Sequence, residues 1–285
     1  MRKLIELIES LPEIISFHSP ETKIFKLLNE YSKSIFESSN FNTDKIQSTN
    51  LGKFGNLIFP YTEFGSVSSL DIFSSLNELI IFSYYIKNSD KYKNVIDIGA
   101  NIGLHSLLMA KLGWNVNAYE PDPLHFQILK KNILLNNLKN IKVFESAVSN
   151  NNGNTQFVRV KGNTTSSHIA GSKETPYGEL ETININIVDI SDLTSNCDFI
   201  KIDAEGHEAE IICSIPRNDF LNLEIMVEVG SIINAEKIFK YCKNIGLNLF
   251  SQKNNWRIVD DFQQLPINYK EGSLFISSKC IMNWN

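Results

Sequence analysis

Cysteine is scarce and unpatterned. Cys197, Cys213, Cys242 and Cys280 include no C-x-x-C pair and no Cys/His cluster with zinc spacing, which excludes a disulfide scaffold and a structural zinc site. They read as reduced thiols of a cytoplasmic protein. Long apolar runs are also missing. The stretch around Leu79–Phe82 is far too short to span a bilayer. Met1–Phe17 carries Glu6, Glu9 and Glu13, which interrupt the apolar run a secretory signal needs. There is no basic excess: 27 Lys and Arg face 32 Asp and Glu, a formal charge of -5. Phosphate contacts need concentrated Lys and Arg, so a nucleic-acid partner is disfavoured. Internal repeats and low-complexity tracts are absent.

What remains is an ordinary globular composition, 42% hydrophobic and 21% charged over 285 residues, enough for one α/β domain with an extension. Leu4, Leu7, Ile8 and Leu11 recur at helical spacing, as do Ile24, Leu27, Leu28, Tyr31 and Ile35. Pro12 and Ser19-Pro20 punctuate them, so two or three amphipathic helices are expected, followed by short strands and turns over 51–69. Residues 1–68 therefore read as a helical or mixed extension and 69–285 as the main domain. The extension's apolar stripes must be buried, either on the domain or in a homodimer. A helix over 69–87 precedes a change of texture.

From Asn94 onward short apolar strands alternate with helices. Strands are expected at 94–98, 115–120, 141–146, 199–203, 223–229, 247–252 and 273–277. That alternation predicts a doubly wound α/β fold with a mostly parallel seven-stranded sheet. Thr155–Val160 and Glu181–Val188 read as an inserted hairpin joined by a long polar loop over 161–178, a length usually functional.

The informative segment is Val95-Ile96-Asp97-Ile98-Gly99-Ala100-Asn101-Ile102-Gly103: a strand, a tight turn and a helix start. Glycines there allow close backbone approach of a ligand. A dinucleotide fingerprint counted from Gly99 needs glycine at 101 and 104, where this chain has Asn101 and Leu104. That weighs against a nicotinamide-dependent oxidoreductase, the alternative reading, alongside a catalytically silent nucleotide-binding scaffold. Asp97 at the strand end would repel a pyrophosphate and suits an ammonium and hydroxyls. Glu120, in Tyr119-Glu120-Pro121-Asp122, can accept from both ribose hydroxyls. The next strand ends near Glu145-Ser146-Ala147, on the edge that faces an adenine. Together these describe a pocket for an adenosine carrying an amino acid.

Asp97-Ile98-Gly99-Ala100-Asn101-Ile102-Gly103, then Tyr119-Glu120-Pro121, then Ile200-Lys201-Ile202-Asp203-Ala204-Glu205-Gly206-His207-Glu208 resembles the FkbM family of methyltransferases. The resemblance covers about residues 69–277. It implies a class I methyltransferase fold, S-adenosylmethionine as methyl donor, and O-methylation of sugars, glycans or natural-product hydroxyls. It places Glu78, Asp97, Gly99, Ala100, Asn101, Gly103, Glu120, Pro121, Ser146, Ala147 and Asp203 about the cofactor, with the I-D-x-E-G-x-E segment facing the acceptor.

A sugar hydroxyl is a poor nucleophile until its proton can leave, and a base within reach is worth about 10²- to 10⁴-fold. Candidates are Asp203, Glu205, His207 and His168. Each has a plainer reading. Asp203 could cap the following helix, Glu205 and Glu208 could complement its N-terminus, and His168 could be a solvated loop residue. His207 has the best-matched intrinsic pKa. His105 reads as a packing or capping residue, and His18 and His125 as surface residues. Asp203, Glu205 and Glu228 could share a divalent cation, but nothing in their spacing demands one and no metal is expected.

Overall fold

The computed structural model describes residues 1–38, 47–64, 68–161, 163–172 and 178–284. Two helices open the chain, α1 (Arg2–Ser10) and α2 (Lys23–Ser38), joined by a 3-10 segment, Leu11–Phe17. A small antiparallel pair follows, β1 (Ser48–Asn50) with β2 (Asn56–Ile58). The stretch read as one helix over 69–87 is a 3-10 turn, Asp71–Ser74, and then α3 (Leu76–Lys87).

The domain proper runs β3 (Asn94–Ile98), α4 (Leu104–Lys111), β4 (Asn115–Tyr119), α5 (Pro123–Leu135) and β5 (Ile141–Phe144). Then come β6 (Ala147–Ser149), β7 (Gly153–Lys161), β8 (His168–Ile169) and β9 (Glu179–Asp189). It closes with β10 (Phe199–Ile202), α6 (Glu208–Cys213), β11 (Glu224–Glu228), α7 (Ile232–Ile245), β12 (Asn248–Ser251), β13 (Arg257–Ile258) and β14 (Ser273–Ser277).

The main sheet has the order β13-β12-β14-β11-β10-β3-β4-β5. β11, β10, β3, β4 and β5 are parallel, and β14 runs antiparallel to both its neighbours. This is a doubly wound, mostly parallel α/β sheet, as expected. All seven expected strands are present. The two-residue β13 adds an eighth, too short to leave an apolar alternation in the sequence. Phe199, Ile200 and Ile202 are fully buried because helices cover both faces, which is why β10 is apolar except at Lys201.

A second sheet, β6-β9-β7-β8, rises beside the first. Its centre is the expected hairpin, β7 against β9 from Gly153↔Ile187 to Lys161↔Glu179. The strand foreseen through Ser146 stops at Phe144. The chain bends at Glu145-Ser146 and Ala147 starts β6, which pairs with β9 rather than continuing β5. Part of the expected polar loop is structured as a 3-10 turn, Thr164–Ser166, and β8; residues 162 and 173–177 lie outside those described.

Leu4, Leu7, Ile8 and Leu11 are buried in the same core as α3 and α4. α2 buries Phe25 and Ile35 there but leaves Ile24, Leu27 and Tyr31 exposed. Two histidines read as surface residues are in fact buried. His18 accepts from Trp256 Nε1 at 2.9 Å, and burial lowers its pKa to about 4. His125 packs edge-on to Phe64. In both, distant segments close over a local sequence that looked exposed.

Candidate active site

The chain leaves β3 towards β4 on one side of the sheet and later fills the other side with β10 and β11. The switch point therefore lies between β3 and β10, where open α/β sheets bind ligands. The two strand ends are in contact there. Asp203 N donates to Ile98 O at 3.0 Å, and a Cβ on Gly99 would lie 1.9 Å from Asp203 O. Gly99, at φ +75°, is thus demanded twice, by its dihedral and by this approach.

Asn101, at φ +53°, turns its amide to Glu120 Oε2 at 2.7 Å. Glu120 Oε1 accepts from Asp122 N at 2.8 Å. The acid at the end of β4 is therefore aimed by two backbone donors. Burial raises its pKa to about 8, against the lowering pull of those two bonds. Asp97 is fully buried; Ser106 Oγ donates to its Oδ2 at 2.5 Å.

These groups border a cavity at the switch point, outside the carboxyl ends of β3 and β10. Gly99, Asn101, Glu120, Pro121, Ala147, Asp203 and Glu205 line it. Asp97, Ala100, Gly103 and Ser146 are not among its lining residues. Gly103, at φ +95°, opens α4, and a Cβ there would meet Leu129 at 2.3 Å. Glu78 lies on α3, with Oε2 3.1 Å from His105 Nε2. Burial would raise the Glu78 carboxyl, but the His105 bond and charge, with Lys201, hold it lowered. His105 Nδ1 meets Tyr85 OH at 2.9 Å, a packing role as expected.

Beneath the cavity one ammonium serves several acids. Lys201 Nζ donates to Asp203 Oδ2 at 3.1 Å. Burial would lower its pKa, but Asp203, Asp97, Glu78 and Glu228 together raise it. Glu228 is pushed well up, by burial first and then by Asp203 and Glu78. Among the described residues no group of three or more His, Cys, Asp and Glu could hold a metal ion.

The residues of the acceptor segment separate. Asp203 and Glu205 line the cavity. Asp203 is no helix cap, because α6 begins five residues later, at Glu208, with His207 in the cap position. His207 faces a neighbouring groove, where Nε2 meets Ser149 Oγ at 2.9 Å and Nδ1 meets Ser172 Oγ at 3.3 Å. Burial lowers its pKa. Glu208 folds back onto the Gly206 amide at 2.7 Å, and burial raises its pKa to about 8. His168 is buried in β8, with Nδ1 3.1 Å from Ser166 O, rather than solvated on a loop, and does not line the cavity.

Sequence reasoning missed one wall. His125, Phe157, Thr164, Ser167 and Ile169 also line the cavity, and His125 Nε2 meets Thr164 Oγ1 at 2.8 Å. The one local signal was Asp122-Pro123, an N-cap with proline at the first helical position, which fixes the start of α5 and hence His125. Asp122 also takes Arg159 of β7 in a bidentate pair, tying the second sheet to the end of β4.

The donor set fits S-adenosylmethionine. Asp97 Oδ1 and Asn101 Oδ1 are buried acceptors without a hydrogen-bond partner among the described residues, which an ammonium would satisfy. Glu120 keeps lone pairs for ribose hydroxyls. Ala147, Val148, Phe157 and Ile169 offer an apolar slot for an aromatic base.

The methyltransferase FkbM domain family matches residues 97–251, more than half of the chain. A curated relative, methyltransferase sdnD of Sordaria araneosa, is 26% identical over 162 residues, 45% of this chain and 62% of its own length. The chain therefore spans less than two thirds of that relative. Among solved structures, the METTL16 MTase domain aligns with a TM-score of 0.41 at 16% identity, covering 72% of this chain and 68% of its own. Precorrin-6y C5,15-methyltransferase of Geobacter metallireducens aligns at 0.36 and 12% identity, covering 68% and 85%.

Proposed function

Because the chain belongs to the FkbM methyltransferase family, we propose that it transfers a methyl group from S-adenosylmethionine to a hydroxyl of a sugar, on a nucleotide, in a polysaccharide or on a glycosylated natural product. The observation that carries the reading is the seam between Gly99 and Asp203, beside the aimed carboxylate of Glu120. It sets acids and a glycine turn where an adenosine bearing an ammonium is complemented.

Asp97, Asn101 and Glu120 hold the ammonium and ribose, with Gly99, Ala100, Gly103, Pro121, Ser146 and Ala147 shaping the turn and the base slot, and Glu78 supporting from α3. S-adenosylmethionine supplies an activated methyl on a sulfonium, a cation that the carboxylates around Lys201 favour. Asp203 and Glu205 are the bases placed on the cavity. His207 and His168 serve the acceptor side by holding its walls.

Residues 1–68 act as a packing extension of a catalytic domain spanning 69–285. A homodimer would use the Ile24, Leu27 and Tyr31 face that α2 leaves exposed. The site is cytoplasmic in this reading, and among the described residues no helix is long and apolar enough to cross a membrane. The test is transfer of labelled methyl from S-adenosylmethionine to a panel of free, nucleotide-linked and lipid- or aglycone-linked sugars. Labelling of protein or RNA in place of every sugar would overturn the acceptor class.

A further inference from the structure

A second concavity adjoins the cofactor cavity and shares Ile169 with it. Its walls are the 169–172 segment, Gly206-His207, the start of α7 and Tyr269. At the junction stands Glu205, at φ +48°, a left-handed conformation that a non-glycine residue adopts only when its surroundings enforce it. Tyr269 Oη donates to Glu205 Oε2 at 2.9 Å. Gly230 clears the way for that phenol, since a Cβ there would lie 2.5 Å from Tyr269 Oη. Gly206, at φ +104°, similarly lets Ser172 O approach. Glu205 thus lines the cofactor cavity while its clasp, Tyr269, lines the groove.

The groove has a definite chemistry. Ile232 and Ile233, on the first turn of α7, are 48% and 49% exposed into it. Its one cation among the described residues is Lys237, already paired with Glu210 at 2.6 Å. Asn234 N, in the same helical turn, is capped by Ser231 Oγ at 3.2 Å. Among the described residues a diphosphate would find neither an unpaired Lys nor an Arg fork here. A neutral molecule with an apolar face beside a hydroxyl would cover the isoleucines and point that hydroxyl to the seam.

Building on the sugar O-methyltransferase reading, we propose that this groove is the acceptor site for a neutral sugar bearing an apolar substituent, and that Tyr269 is a positioning residue holding the Glu205 carboxylate as its base. The acceptor oxygen forms its bond to the methyl carbon while the carbon–sulfur bond breaks, its electron pair staying on sulfur. The hydroxyl proton passes to Glu205. Asp203, held by Lys201, stays with the cofactor.

The test is calorimetric titration of full-length, S-adenosylhomocysteine-saturated protein with octyl β-D-glucopyranoside below its micellar concentration, and with UDP-glucose. Octyl glucoside is expected to bind and UDP-glucose to bind at least tenfold more weakly. Ile233→Arg should weaken the glucoside at least tenfold with S-adenosylhomocysteine affinity unchanged. Glu205→Gln should weaken it about tenfold. Tyr269→Phe should weaken it threefold or more in the wild-type background and not at all beside Glu205→Gln; a purely structural role would give additive losses. UDP-glucose binding more tightly, no glucoside binding, or additive losses would overturn the proposal. Failure to bind S-adenosylhomocysteine would instead overturn the methyltransferase reading on which it rests.

Discussion

The amide of Asn101 donates to Glu120 Oε2 at 2.7 Å, fastening the glycine turn after β3 to the acid that ends β4. One bond therefore couples the half of the site that meets an amino-acid moiety to the half that meets a ribose. A backbone donor makes the coupling, so no substitution at 101 other than proline removes it directly.

That coupling fixes a pH dependence. The Glu120 pKa is raised to about 8 by burial. Ribose hydroxyls donate best to the ionised form. S-adenosylhomocysteine should accordingly bind several-fold more tightly at pH 9 than at pH 7, and Glu120→Gln should bind at least tenfold more weakly and lose that slope. Titration calorimetry across the range checks both.

Stability of the ligand-free protein should move the opposite way. Glu120 and Glu208 both have pKa values raised to about 8, so the folded state holds protons that the unfolded chain releases near its ordinary carboxylate value. Their contribution is complete below that ordinary value and is lost as pH rises through about 8. Tm should fall between pH 6 and pH 9. A flat profile would show that both carboxyls are ionised at neutral pH.

Gly99→Ala tests the seam. Its Cβ would lie 1.9 Å from Asp203 O, and its φ of +75° is strained for alanine. A loss of about 1–3 kcal/mol or more is expected from the dihedral alone, with S-adenosylhomocysteine binding abolished. Gly113→Ala, at φ +92° but with nothing within 4 Å of its Cβ, should cost stability and leave binding intact. Thermal unfolding and calorimetry on the pair separate strain from collision.

Lys201→Met leaves Asp203, Asp97, Glu78 and Glu228 without their shared cation. Breaking such a buried pairing costs about 3–5 kcal/mol. In the wild type the Lys201 contribution persists up to its ordinary pKa and is lost only above it, because the folded value is raised. The variant's deficit at pH 8 should therefore shrink as acid protonates the stranded carboxyls. Denaturant unfolding at pH 5 and pH 8 measures it.

Much of this site is legible in the chain because β3 is local. Asp97, Gly99, Asn101 and Gly103 lie within seven residues, and the turn they make is dictated by their own dihedrals. Glu120 follows from the parallel register Ile98↔Tyr119. The opposite wall was illegible because it depends on pairings far apart in sequence. Phe157, Thr164 and Ile169 reach the cavity only through the second sheet, and β8 exists because Val158 pairs with His168. His207 has the intrinsic pKa of a base, yet its ring bridges Ser149 and Ser172, residues that no local pattern places beside it.

The most direct measurement is isothermal titration of the purified chain with S-adenosylhomocysteine, with NAD and NADP beside it. Micromolar binding of S-adenosylhomocysteine is expected, at least tenfold weaker in Asp97→Asn, with silence from both dinucleotides. Binding of a dinucleotide with none of S-adenosylhomocysteine would contradict the methyltransferase reading.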